Sequence, residues 1–312
     1  MTTTRVGAID CGTNSIRLLI ADLDPETGAI GDLDRRMVIN RLGQGVDRTG
    51  RLAPEALERT FAACREYAAV LAEHGVGPDR LRMVATSASR DAENAEEFTK
   101  GVKEILGVEP EVVSGDEEAR LSFTGATKEL TGEAVESPYL VFDLGGGSTE
   151  FVLGTGEVEA ARSVDIGCVR LTERHFAGVE LPTPDQISAA RADIRAALDL
   201  AAESVPLTGA ATLVGLAGTV TTVAGIALGL PAYDSVAIHH SRIPLGRVRE
   251  VVGMLLTSTH EQRAAIPVMH PGRVDVIAAG ALVLLEIMER TGAAELVVSE
   301  HDILDGIAWS VV

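Results

Sequence analysis

Asp10-Cys-Gly-Thr-Asn-Ser-Ile-Arg-Leu-Leu-Ile20 and Asp143-Leu-Gly-Gly-Gly-Ser-Thr-Glu-Phe-Val-Leu153 lie over one another without a gap, at an offset of 133 residues. Asp10 then meets Asp143, Gly12 meets Gly145 and Ser15 meets Ser148. Apolar runs flank both copies: Val6–Asp10 and Ile16–Asp22 around the first, Tyr139–Phe142 and Phe151–Leu153 around the second. The intervening residues are turn formers, so each copy reads as a β-hairpin. The same hairpin opening two halves of one chain predicts a duplicated domain with a cleft between the copies.

The residue types in each hairpin suit phosphate and metal chemistry. A carboxylate at a strand tip, Asp10 or Asp143, can hold Mg²⁺ directly or through waters, because a hard cation prefers oxygen ligands. Gly and Asn supply the positive φ that tight turns need. Turn N–H groups make a nest for phosphate oxygens, and the Ser hydroxyl adds a donor. The expected phosphate contacts are Gly12, Thr13, Asn14 and Ser15 in the first copy, and Gly145, Gly146, Gly147 and Ser148 in the second. Gly218 and Thr219 form a third, at a turn that opens a helix. The plainer alternative is a bare hairpin turn capped by its own Asp. It weighs heavily for a single copy and little for two in register beside the Gly215–Thr219 turn.

Outward from the hairpins, strands alternate with helices. Leu57, Phe61, Cys64, Ala68 and Leu71 lie on one face of a helix from Pro54 to about Gly75. Leu81–Thr86, Glu111–Ser114, Thr212–Leu216 and Glu295–Val298 read as strands. Ala92–Leu106, Asp116–Lys128, Pro184–Glu203, Arg247–Thr257, Val274–Arg290 and Ile303–Ser310 read as helices, with a further one after Ala217-Gly-Thr219. The pattern predicts an α/β protein. The polar stretch Thr131–Pro138 marks a boundary between domains 1–130 and 131–312, with a segment of about 300–312 able to pack back on the first.

The whole chain sets bounds on function. With 312 residues, 46% hydrophobic and 23% charged, it is long enough for two ordinary domains. Aromatics make up only 3%, so the core must rest on Ala, Val, Leu and Ile. A net charge of −19 argues against general nucleic-acid or membrane-surface binding. An anionic substrate stays open, because a local Arg cluster or a metal can reverse the field in one cleft. Cys11, Cys64 and Cys168 are odd in number and contain no C-x-x-C, against a disulfide framework or a zinc site. Reduced thiols, an N-terminus without a signal-peptide core and the absence of a spanning stretch point to the cytoplasm. The most apolar late run, Val276–Met288, is too short to span a bilayer and contains Glu286.

Four segments carry a resemblance to a known family: Asp10-Cys-Gly-Thr-Asn-Ser15, Ser114-Gly-Asp-Glu-Glu-Ala-Arg120, Asp143-Leu-Gly-Gly-Gly-Ser-Thr-Glu150 and Gly215-Leu-Ala-Gly-Thr219. Together they resemble the exopolyphosphatase/guanosine pentaphosphate phosphohydrolase family, from about Val6 to the C-terminus, including the Arg273-x-Asp275 and Ser299–Gly306 segments. The D-x-G hairpins mark the actin/sugar kinase/Hsp70 superfamily. The Ser-Gly-x-Glu-Glu-Ala-Arg and D-x-G-G-G-S-T-E segments are specific to the family. The resemblance implies two ribonuclease-H-like domains around an interdomain cleft, in the family's short two-domain form, and leaves a homodimer open.

The resemblance also implies roles. Glu118 orients or deprotonates the attacking water; by position alone, Glu117 and Glu118 are equally first-turn acids favoured by the helix dipole. Glu150 is the second catalytic carboxylate and, with Asp10 and Asp143, a neighbour of one Mg²⁺ held mostly through waters. Arg90, in Thr86-Ser-Ala-Ser-Arg90, is the phosphate-contacting arginine, its planar fork suited to bidentate binding. Arg17 occupies the repeat position filled by Glu150. The histidines fit no metal motif and read as solvent-exposed. The implied activity is release of terminal phosphate from inorganic polyphosphate. The alternatives are attack on the 5′-γ-phosphate of guanosine pentaphosphate, a kinase of the same superfamily, and a non-catalytic phosphate or nucleotide sensor.

Overall fold

The computed structural model describes residues 3–128, 130 and 135–312. The expected boundary stretch Thr131–Pro138 lies outside the described residues over its first four positions. The chain forms two compact units: Met1–Lys128 with Asp302–Val312, and Glu129–His301.

The first unit is built on strands β1 (Thr4–Cys11), β2 (Ile16–Asp24), β3 (Ala29–Val38), β4 (Leu81–Ala85) and β5 (Glu111–Val112), in the order β3-β2-β1-β4-β5. β1, β2 and β3 are antiparallel neighbours, while β4 runs parallel to β1. Every residue of β1 from Val6 to Cys11 is buried, because both faces of the sheet are covered. Ile9, Cys11, Ile16, Leu18 and Ile20 face helices α1 (Pro54–Glu73) and α2 (Ala95–Leu106). Val6, Ala8, Leu19, Ala21 and Leu23 face Leu121 of helix α3 (Gly115–Thr127) and the C-terminal helix Ile303–Trp309. α3 and the C-terminal helix touch through glycines. A Cβ on Gly125 would sit 1.8 Å from the Asp302 carbonyl oxygen, and one on Gly306 would sit 2.0 Å from that of Leu121.

The second unit repeats the plan. Its strands are β6 (Tyr139–Leu144), β7 (Thr149–Gly154), β8 (Val158–Val164), β9 (Thr212–Leu216), β10 (Arg242–Pro244) and β11 (Glu295–Val298), in the order β10-β11-β9-β6-β7-β8. β6, β7 and β8 are antiparallel neighbours, and β9 runs parallel to β6, as β4 does to β1. Helices α4 (Pro184–Ala202), α5 (Ala217–Leu228), α6 (Leu245–Thr257) and α7 (Ile277–Thr291) pack around this sheet into one core. α7 is apolar through most of its length, and its buried acid, Glu286, packs against Arg191 and Arg195 of α4. Among the described residues, no helix is long and apolar enough to cross a membrane.

Three strands differ from the sequence expectation: β3, β8 and β10 are all at or next to sheet edges. β3 is largely exposed and rich in Asp and Arg, so it shows no apolar alternation to read. α2 starts at Ala95 rather than Ala92. The Asn94 side chain instead accepts from Leu52 N–H (2.8 Å) and donates to the Leu52 carbonyl (3.1 Å).

Candidate active site

The two hairpins close with the same hydrogen bond. Gly12 N–H donates to the Ser15 carbonyl at 2.9 Å, and Gly145 N–H donates to the Ser148 carbonyl at 3.1 Å. The register pairs Asp10 with Arg17 across the first hairpin and Asp143 with Glu150 across the second. The duplication therefore extends to the hydrogen-bond pattern, and the two copies part at one chemically decisive position.

In the first unit that position makes an ion network. Arg17 donates to Asp10 Oδ2 through Nε (3.0 Å) and Nη2 (2.7 Å), and to Asp302 Oδ2 through Nη1. Burial opposes the charge on Arg17, but Asp302 and Asp10 overcome it and hold its pKa above the ordinary value. Burial pushes the Asp10 carboxyl above its usual range, against the pull of Arg17. The rest of the turn is held from behind: Gly43 N–H donates to the Thr13 carbonyl (2.9 Å) and Arg41 N–H to the Asn14 carbonyl (3.0 Å). Arg41 takes a positive φ of 50° to do so, the kind of backbone strain that gathers at functional sites. The Thr13 and Ser87 hydroxyls share a buried 2.8 Å hydrogen bond, which ties the turn to the segment carrying Arg90.

Arg90 and Glu118 come together. Arg90 Nη1 donates to the Val113 carbonyl (2.9 Å) and to Glu118 Oε2 (3.2 Å). Ser114 caps α3 by accepting from Glu117 N–H, which starts the helix where Glu118 falls in its first turn. Glu117 and Glu118, equivalent by sequence position, separate here. The Glu118 side chain is 10% exposed, whereas that of Glu117 is 43% exposed and faces Arg82 at 3.6 Å.

In the second unit Asp143 and Glu150 are both buried, directly opposite on neighbouring antiparallel strands. Glu150 Oε1 also accepts from the Ser163 hydroxyl at 2.7 Å. Cross-strand carboxylates repel unless a cation or a proton intervenes. Buried, like-charged and all-oxygen, the pair fits a hard divalent cation such as Mg²⁺. Within either unit, the described residues contain no cluster of three or more His, Cys, Asp or Glu placed to hold a metal alone.

The glycine turn itself is packed backbone on backbone. A Cβ on Gly167 would lie 2.4 Å from the Gly146 carbonyl oxygen, so only glycine fits there. Cys168 N–H donates to the Gly145 carbonyl (3.0 Å), and Val169 and Arg170 N–H to that of Gly146 (2.9 and 3.1 Å). The third turn opens α5, whose first residue, Ala217, takes a positive φ of 69° just before Gly218. The Arg273 guanidinium lies against Gly218, where a Cβ would meet Nη2 at 2.2 Å, and Nη1 donates to the Thr222 hydroxyl at 3.1 Å. Arg273 is a residue that sequence reasoning left without a role; its only signal was the Arg273-x-Asp275 segment.

The histidines depart from expectation. His239, His240 and His270 are half-buried rather than solvent-exposed. The His239 and His240 rings stack at 3.7 Å between centroids, and His239 Nδ1 accepts from Glu300 N–H at 3.1 Å. His239 and His240 pack against the end of β11, where His240 N–H donates to the Val298 carbonyl at 2.7 Å, a placement that metal-ligand spacing does not encode.

The model of the Ppx/GppA phosphatase family matches residues 19–312. The chain belongs to that family. It is 51% identical over 322 aligned residues to exopolyphosphatase 2 of Mycobacterium tuberculosis, covering 100% of this chain and 99% of that protein. Among solved structures it resembles an exopolyphosphatase-like protein at 44% identity and a TM-score of 0.93, with 98% of each chain covered. It also resembles the Aquifex aeolicus family member at 31% identity and a TM-score of 0.82, covering 99% of this chain and 97% of that one. These likenesses give both units the ribonuclease-H-like fold of the actin-like superfamily, in keeping with the matching strand orders.

Proposed function

We propose that this family member is an exopolyphosphatase that releases terminal phosphate from inorganic polyphosphate in the cytoplasm, with Mg²⁺ as its cofactor. The observation that carries the phosphate chemistry is the recurrence of one hydrogen-bonded Asp-x-Gly-x-x-Ser turn in both units, each beside a buried carboxylate. The choice of polyphosphate is supported by the name of the mycobacterial relative.

Water attacks the terminal phosphorus in line, and the bond from that phosphorus to the bridging oxygen breaks. The shortened chain leaves with that oxygen, and the water's proton passes to Glu118. Arg90 both holds Glu118 and presents its fork to phosphate oxygens. The N–H groups of Gly12–Ser15, Gly145–Ser148 and Gly218–Thr219 offset charge spreading over the phosphoryl oxygens. Glu150 helps to orient the water. Asp10, Asp143 and Glu150 are the residues that would hold Mg²⁺, whose contribution when bound is to neutralise phosphate charge.

The test is phosphate release from polyphosphate and from guanosine pentaphosphate side by side, with Mg²⁺ and with EDTA. Higher kcat/KM on polyphosphate, abolished by EDTA, is the expected result. Preference for the nucleotide would move the chain to the alarmone phosphohydrolases, and release from neither would overturn the enzymatic reading.

A further inference from the structure

The carbonyls of Gly145 and Gly146 are anchored by backbone N–H groups of residues 168–170, but the carbonyl of Gly147 is anchored by a side chain. Arg170 Nε donates to it at 2.7 Å, from a side chain only 12% exposed. All three glycine carbonyls therefore point toward one short segment. In a planar trans peptide the N–H of the next residue points opposite to the carbonyl. The N–H groups of Gly146, Gly147 and Ser148 must then leave the turn together on the far side, forming the nest. The first unit anchors Thr13 and Asn14 with backbone donors from Gly43 and Arg41. The second unit uses a side chain for the anchor nearest its serine.

We infer that Arg170 is a positioning residue for phosphoryl transfer. It fixes the Gly147–Ser148 peptide plane so that the Ser148 N–H meets a phosphoryl oxygen, and it acts through the turn without touching the substrate. The inference rests on the proposal that this turn binds phosphate.

Three variants with two readouts test it. Arg170→Ala should lower kcat on polyphosphate by about 10- to 100-fold, somewhat below the loss of a whole oxyanion-hole donor. KM should change much less than kcat. Arg170→Lys, which keeps a donor in reach of the carbonyl, should recover most of the rate. Added guanidinium ion should partly rescue Arg170→Ala and leave Arg170→Met, whose side chain fills the space, unrescued. Amide hydrogen exchange at Gly146–Ser148 reads the anchor without any turnover: it should speed up in Arg170→Ala and stay near wild type in Arg170→Lys. Wild-type kcat and exchange in Arg170→Ala would overturn the inference. So would equal loss in Lys and Ala with no guanidinium rescue, which marks a purely structural role. An inactive wild type would sink the proposed function instead, and the exchange comparison would still decide the anchor.

Discussion

Replacing Asp302 with Ala should destabilise the first unit by an amount that can be worked from its contacts. Asp302 is 3% exposed and caps the C-terminal helix. Its Oδ1 accepts from Leu304 N–H at 3.0 Å, its Oδ2 takes Arg17, and its own N–H donates to Asp305 at 2.9 Å. Losing a helix cap costs about 0.5–2 kcal/mol. Losing a hydrogen bond to a charged group costs about 1.5–3 kcal/mol. Asp302→Ala should therefore cost roughly 2–5 kcal/mol. Asn caps nearly as well as Asp, so Asp302→Asn should lose only the ionic part. The assay is urea unfolding followed by Trp309, the sole tryptophan, which sits in the same helix under the Lys128 ammonium at 3.2 Å. The pH dependence has a definite sign. Burial would raise the Asp302 carboxyl, but Arg17 and Arg35 outweigh it and hold its pKa below the ordinary 3.8. Its stabilisation is thus fully present above pH 3.8 and fades as pH falls through the depressed value. The gap between wild type and Asp302→Asn should close on acidification. A loss below about 1 kcal/mol for Asp302→Ala, or a gap that persists in acid, would refute the reasoning.

Two further outcomes follow from the contacts of Arg90 and the burial of the cysteines. Arg90 Nη1 alone serves the Val113 carbonyl and Glu118, and the lone ammonium of Arg90→Lys could not hold both and also grip phosphate bidentately as a planar fork does, so kcat/KM on polyphosphate should drop about 10-fold or more; activity within a factor of about two would contradict it. Cys11, Cys64 and Cys168 are buried, and burial pushes the Cys64 thiol up to about 12, so a thiol reagent at pH near 8 should label none quickly in the native protein and all three after denaturation. Fast native labelling of any one would count against that burial.

Much of the fold was legible because both hairpins announce themselves in apolar runs punctuated by Gly, Asn and Ser. The edge strands were not, since a strand such as β3 that buries little has no pattern to show. For the site, helix position alone could not part Glu118 from Glu117 and only the motif singled out Glu118; the structure buries Glu118 beside Arg90 and leaves Glu117 more exposed. Arg17 looked only like an imperfect match to Glu150. Its meaning depends on Asp302, which lies 285 residues away in the chain. Arg170 and Arg273 act on backbone carbonyls and on the face of a glycine, contacts that side-chain spacing does not encode.

The most direct measurement is phosphate release from polyphosphate by Glu118→Gln beside wild type, with substrate affinity measured in parallel. Glutamine keeps the size of the side chain and a hydrogen-bonding oxygen for Arg90 but cannot take the water's proton. The expected result is a kcat lower by about 100-fold or more with affinity little changed. Near-normal turnover in Glu118→Gln would contradict the assignment of the catalytic base and the mechanism built on it.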